Sequence, residues 1–64
     1  MIIEVKRNGR HTLLDTAKIS YIDEVTERGG KLKAMIYYEN DDRLLIDSYE
    51  EVKEKYLAAE NREK

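Results

Sequence analysis

The chain has 64 residues with no cysteine and no proline, which excludes disulfides and thiolate metal sites and leaves the turns without stiffening. Twelve Lys and Arg stand against 14 Asp and Glu, a formal charge of −2, so the chain is no polycation for wrapping nucleic acid. No apolar run approaches the roughly 18 residues of a membrane span, and a single domain of this size holds a core worth about 3–5 kcal/mol net.

Charged residues make up 41% of the chain, a level seen in disordered segments, but the apolar residues are periodic, and this predicts a folded domain. The missing cysteines fit a reducing cytoplasm. Met1-Ile2-Ile3 is followed at once by Glu4 and Lys6, which does not read as a signal peptide.

Residues 2–7 alternate as a first strand, with Ile3 and Val5 opposite Glu4 and Lys6. Asn8-Gly9 tolerates positive φ at both central positions of a type I′ turn, so residues 10–14 return as the second strand of a hairpin. Asp15 suits the cap of a short helical turn through Lys18. A third strand is expected over 19–27, with Ile19, Tyr21 and Val25 on one face and Ile22 on the other. Arg28-Gly29-Gly30-Lys31 is a hairpin turn. Residues 32–39 form a fourth strand, with Leu32, Ala34, Ile36 and Tyr38 opposite Lys33, Met35 and Tyr37. Asn40-Asp41-Asp42 predicts a turn held by Asx-type side-chain bonds. Residues 43–47 form a fifth strand, Leu44 and Ile46 facing away from Leu45.

Ser48-Tyr49-Glu50-Glu51 matches a capping box and opens a helix over 49–60. Tyr49, Val52, Tyr56 and Ala59, broadened by Leu57, make its apolar stripe. Glu51–Lys55 and Glu60–Lys64 are favourable pairs one turn apart. Together these elements predict one α+β domain over residues 1–64: a small antiparallel five-stranded sheet, or its partly closed barrel variant, with one C-terminal helix.

One helix covers one face of such a sheet. The opposite face keeps a second apolar set, Ile2, Ile22, Met35, Tyr37 and Leu45, and a small unstapled domain gains most by burying it. Ile22, Met35, Tyr37 and Leu45 are therefore the candidate partner interface, with Tyr37 as anchor and self-association expected. Glu50 and Glu54 on the helix mark a further surface to probe.

Catalytic chemistry finds little support. His11, Asp15 and Ser20 can be written as a triad but lack a nucleophile elbow and an oxyanion loop. Asp23 and Glu24 point to opposite faces of a strand. No phosphate-binding glycine loop is present. His11 has no second imidazole, and Asn40-Asp41-Asp42 lacks the ligand set of a calcium loop. The expectation is a non-enzymatic protein with no cofactor and no metal. The local cation cluster at the first hairpin tip, Lys6, Arg7, Asn8, Arg10 and His11, is the candidate anion-binding site, through arginine forks and exposed turn amides. The bland alternative is a solvated tip that protects a strand edge.

The run from Met1-Ile2-Ile3 through Arg7-Asn8-Gly9, then Ile19 to Glu24, then Leu44-Leu45-Ile46-Asp47-Ser48 and Glu51-Val52 resembles the small FlbD-type flagellar accessory proteins in order and length. It differs in Asn40-Asp41-Asp42, where that family has Asn-Gly, and in an additional Arg28-Gly29-Gly30-Lys31. The resemblance implies a non-enzymatic role in flagellar motor function. A looser likeness to the LytTR DNA-binding domain runs through Lys18-Ile19-Ser20-Tyr21-Ile22-Asp23, in a chain short and acidic for a complete domain of that kind.

The leading expectation is a cytoplasmic, non-catalytic accessory or inhibitory module that binds a protein partner as a homo-oligomer, with no nucleic acid and no membrane insertion. The alternatives are a phage-type protein that sequesters an anionic nucleotide between subunits, through Arg7, Arg10, His11 and tyrosine rings, and the flagellar accessory role.

Overall fold

A computed structural model describes residues 1–63, with side chains through residue 61. The strands are β1 (Ile2–Arg7), β2 (Arg10–Asp15), β3 (Ile19–Thr26), β4 (Leu32–Tyr38) and β5 (Asp42–Ile46), followed by helix α1 (Tyr49–Glu63). Each strand lies within a residue of its expected bounds, and the helix runs beyond its expected end at residue 60. The expected Glu60–Lys64 pair involves a residue outside those described.

The turns follow from local chemistry. Asn8 and Gly9 both adopt left-handed backbone, φ 54° and 76°, as a type I′ turn requires. Asp15 caps a 3₁₀ turn over Thr16–Lys18 by accepting from the Ala17 N–H at 3.1 Å. Between β4 and β5, Asn40 and Asp41 are both left-handed, φ 64° and 62°. That turn rests on backbone conformations that Asn and Asp tolerate, in place of the expected side-chain bonds.

All strand pairings are antiparallel, and the strands form two sheets, β1-β2 and β3-β4-β5, that do not close into a barrel. A backbone bond from the Asp47 N–H to the Lys6 carbonyl, 2.9 Å, joins the end of β5 to β1. Near the other end of the hairpin, the Asp15 N–H donates to the Tyr38 hydroxyl at 3.0 Å and ties β2 to β4.

Helix α1 packs on β1 and β4. Val52 and Ala59 enter a core with Ile3, Val5, Leu14, Ile19, Ala34, Ile36 and Ile46, and Ile22, Tyr38, Leu44, Tyr49 and Tyr56 pack around it. Ser48 accepts from the Glu51 N–H at 3.3 Å, so half of the capping box is present. The Glu51 carboxylate turns instead to Lys55, 3.0 Å away, and Lys55 also donates to the Glu4 carbonyl, anchoring the helix to β1. Replacing Ser48 with alanine should cost about 1 kcal/mol, the usual loss for a cap. A lowered urea midpoint with an unchanged slope would show it. No described helix is long and apolar enough to cross a membrane.

One register feature changes which residues share a face. Ile19 pairs with Tyr38, but Tyr21 pairs with Tyr37, so Ser20 is an extra residue on β3. A one-residue bulge flips every side chain beyond it. Ile22 therefore faces the helix and packs against the core, whereas Tyr21 and Val25 join the opposite face. This reverses the expected placement of all three. In β2 the core takes Leu14, and Leu13 is exposed.

Candidate functional site

The face of β3-β4-β5 turned away from the helix is built in cross-strand rows. Tyr21, Tyr37 and Arg43 are direct neighbours across the three strands. The Tyr21 and Tyr37 rings stack with centroids 4.2 Å apart and planes 22° from parallel. The Arg43 guanidinium carbon lies 5.7 Å from the Tyr37 centroid, within cation–π range. Asp23, Met35 and Leu45 form the next row, and Val25 with Lys33 the one after. Met35, Tyr37, Leu45 and Val25 are half-buried, and Tyr21 is mostly exposed at 56%. Lys33 reaches along the face to Glu27 at 3.3 Å. The stack is worth about 0.5–1.5 kcal/mol beyond simple burial. It also fixes both rings before anything docks, which lowers the ordering cost of binding.

Three of the four expected interface residues, Met35, Tyr37 and Leu45, meet on this face. Ile22 does not. Tyr21 and Val25 take its place, and the signal for them was present in the sequence: Ile19 and Ile22, both core residues, are three apart with a serine between, a spacing that a regular strand cannot bury on one side.

The hairpin tip borders this face but does not gather its cations. Arg7 pairs with Arg10 and Lys6 with His11 across the hairpin, so the two pairs lie on opposite sides of it. His11 Nδ1 lies 3.2 Å from Glu4 Oε1. The turn amides are occupied. Asn8 N–H and Gly9 N–H each donate to a separate oxygen of Asp47 at 2.8 Å. The nest that the Asn-Gly turn offers to an anion thus holds the chain's own carboxylate. Of the proposed anion-binding set Lys6, Arg7, Asn8, Arg10 and His11, only Arg7, Asn8 and Arg10 line a common depression, together with Thr12. The residues of the paper triad are also separated in role. Asp15 is bound to the Ala17 amide, and His11 faces Glu4. Among the described residues no group of three or more His, Cys, Asp or Glu is placed to hold a metal ion.

Asp47 links the two sheets through its side chain as well as its backbone. Its carboxyl is held below the usual range chiefly by the Gly9 and Asn8 amides, and Lys33 and Lys31 add to this. The ionised form is therefore favoured in the folded state. The stability it contributes is complete above the unfolded carboxyl value, near pH 4, and is lost as pH falls through the lower folded value. Asp15, lowered mainly by the Ala17 amide, acts in the same window. An Asp47→Asn variant should melt at lower temperature than wild type at neutral pH. The gap should close as pH is taken below 4, as followed by circular dichroism melts across the acid range; a constant gap at every pH would contradict the assignment.

Comparison of the chain with protein-family models, with curated proteins and with solved structures finds no match.

Proposed function

We propose that this chain is a non-catalytic accessory module that works by binding protein through the open face of β3-β4-β5, and that a second copy of the chain occupies that face. The observation that carries the reading is the Tyr21–Tyr37 stack, flanked by Arg43 and with Met35 and Leu45 in the next row, on a surface that α1 does not cover. Aromatic and arginine side chains clustered in an apolar centre are the residues that dominate binding energy at protein interfaces.

The charges on the face favour a copy of itself as occupant. Asp23 lies on β3 and Arg43 on β5, to either side of Met35 and Tyr37 on the central strand. A two-fold axis running along β4 lays β3 of one copy over β5 of the other. Each Asp23 then approaches the other copy's Arg43, and the pairing occurs twice, as an isologous interface requires. Rim charges of this kind set register more than affinity. The central apolar residues supply the affinity, and the small core supplies the reason to associate.

Sedimentation equilibrium over a wide concentration range tests this directly. The expected result is a monomer–dimer equilibrium. A dimer weakened by Asp23→Arg or Arg43→Asp, and restored when both changes are combined in one chain, fits the two-fold arrangement. A protein that stays monomeric at the highest concentration contradicts it.

A further inference from the structure

A second open surface lies on the other side of the molecule's longest strand. β3 is the outer strand of its sheet, paired with β4 on one side and, among the described residues, with no strand on the other. Because α1 packs on β1 and β4, it leaves a groove of about 290 Å³ between itself and β3. Ile19, Tyr21 and Ile22 form one wall and Tyr49, Tyr56 and Leu57 the other. The Leu57 side chain on the rim is 47% exposed. An exposed strand edge beside an apolar trough is the arrangement that lets an extended polypeptide add a strand: main-chain bonds to the edge give affinity, and alternate side chains enter the trough.

The charges state what kind of polypeptide fits. Asp23 and Glu24 lie on the edge strand itself. Glu54 and Glu60 stand one turn to either side of Leu57, and Glu50 two turns before it. All five are exposed, and among the described residues none has an ion-pair partner. Among the described residues Lys53 is the one cation lining the groove. A second copy pairing through β3 would bring Asp23 and Glu24 of the two chains together, and like charges opposed across strands are destabilising. The edge is thus set against its own copy and open to a basic strand.

We propose that β3 and the β3–α1 groove bind an extended segment of a partner protein in which apolar residues alternate with lysine or arginine. The segment adds to the free edge of β3: its apolar side chains sit between Ile22 and Leu57 on the helix side, its alternating cations lie against Asp23 on the other side, and basic residues flanking the apolar run meet Glu24 and the helix carboxylates. Tyr21 and Asp23 border both this surface and the self-association face, but the edge of β3 and the groove do not depend on dimerisation.

The test uses a displayed random-peptide library selected on the immobilised full-length protein, followed by amide shift mapping of an enriched peptide. Enriched sequences should alternate apolar and basic residues and move the amides of residues 19–26 and the Leu57 methyls. Leu57→Lys, an exposed position that leaves the core intact, should weaken the peptide by about tenfold. Glu24→Lys should do the same, and circular dichroism should show both variants folded. Leu45→Ala, on the self-association face and off the groove, should leave peptide affinity unchanged at concentrations where the protein is monomeric while altering self-association, which separates failure of this site from failure of the dimer. Enrichment of acidic sequences, absence of any alternating basic class, shifts confined to the Tyr37 face, or a β3–β3 dimer occupying the edge would each overturn the proposal.

Discussion

An Ile36→Ala chain should be largely unfolded at room temperature when dilute enough to be monomeric. Ile36 sits at the middle of the central strand β4, with 0% of its surface exposed. It pairs with Ile22 on one side and Leu44 on the other, and it belongs to the core that Val52 of the helix enters. Truncating a buried isoleucine to alanine costs about 2–5 kcal/mol, counting both lost transfer energy and the cavity left behind. A single core of this size holds only about 3–5 kcal/mol in all. The loss therefore takes most or all of the margin. Far-UV circular dichroism and urea titration check it, with Leu13→Ala as the control. Leu13 is 69% exposed, and its truncation should stay within about 0.5 kcal/mol. Association adds stability by mass action, so both variants are compared at concentrations where wild type is monomeric.

The second large effect is on assembly. Tyr37→Ala removes the ring that stacks on Tyr21 and lies beneath Arg43, at the centre of the open face. Truncating a central aromatic anchor costs about 2 kcal/mol or more of binding, roughly thirtyfold in the dissociation constant. The monomer should remain folded, because Tyr37 is half-buried and takes no part in the helix-facing core. Sedimentation equilibrium and a thermal melt of the same sample separate the two outcomes. A folded variant with an unchanged dimer constant would remove Tyr37 from the interface.

The sequence was most legible where one physical cue had one meaning. Asn8-Gly9 named its turn type and with it the register of the first hairpin. Ser48 three residues before Glu51 marked the start of the helix. Strict alternation in Leu32–Tyr38 and in residues 43–47 assigned faces that the structure keeps. The two fingers of cations at the tip were also legible in principle. Lys6 and Arg7 are adjacent, as are Arg10 and His11, so a two-residue turn must send each pair to opposite sides.

What escaped had a different physical origin. The Ser20 bulge moves Tyr21 and Val25 outward and Ile22 inward, and a rule of period two fails at any inserted residue. The grip of Asp47 on the Asn8 and Gly9 amides joins residues 39 and 38 positions apart, a contact that local propensity does not report. It converts an apparent anion nest into an internal joint. The division into two sheets depends on how β5 meets β1, and alternation within strands is silent on strand order.

The central claim is that the uncovered side of β3-β4-β5 is a contact surface between copies. The chain has two methionines, so each methyl group gives its own signal, and Met35 lies on that face while Met1 lies off it. Paramagnetic relaxation by a soluble gadolinium chelate reads the solvent access of both. The account predicts that raising the concentration shields the Met35 methyl and leaves Met1 unchanged, and that Tyr37→Ala abolishes the shielding. A Met35 methyl equally accessible at every concentration, or a concentration-dependent shielding of Met1 in its place, would contradict it.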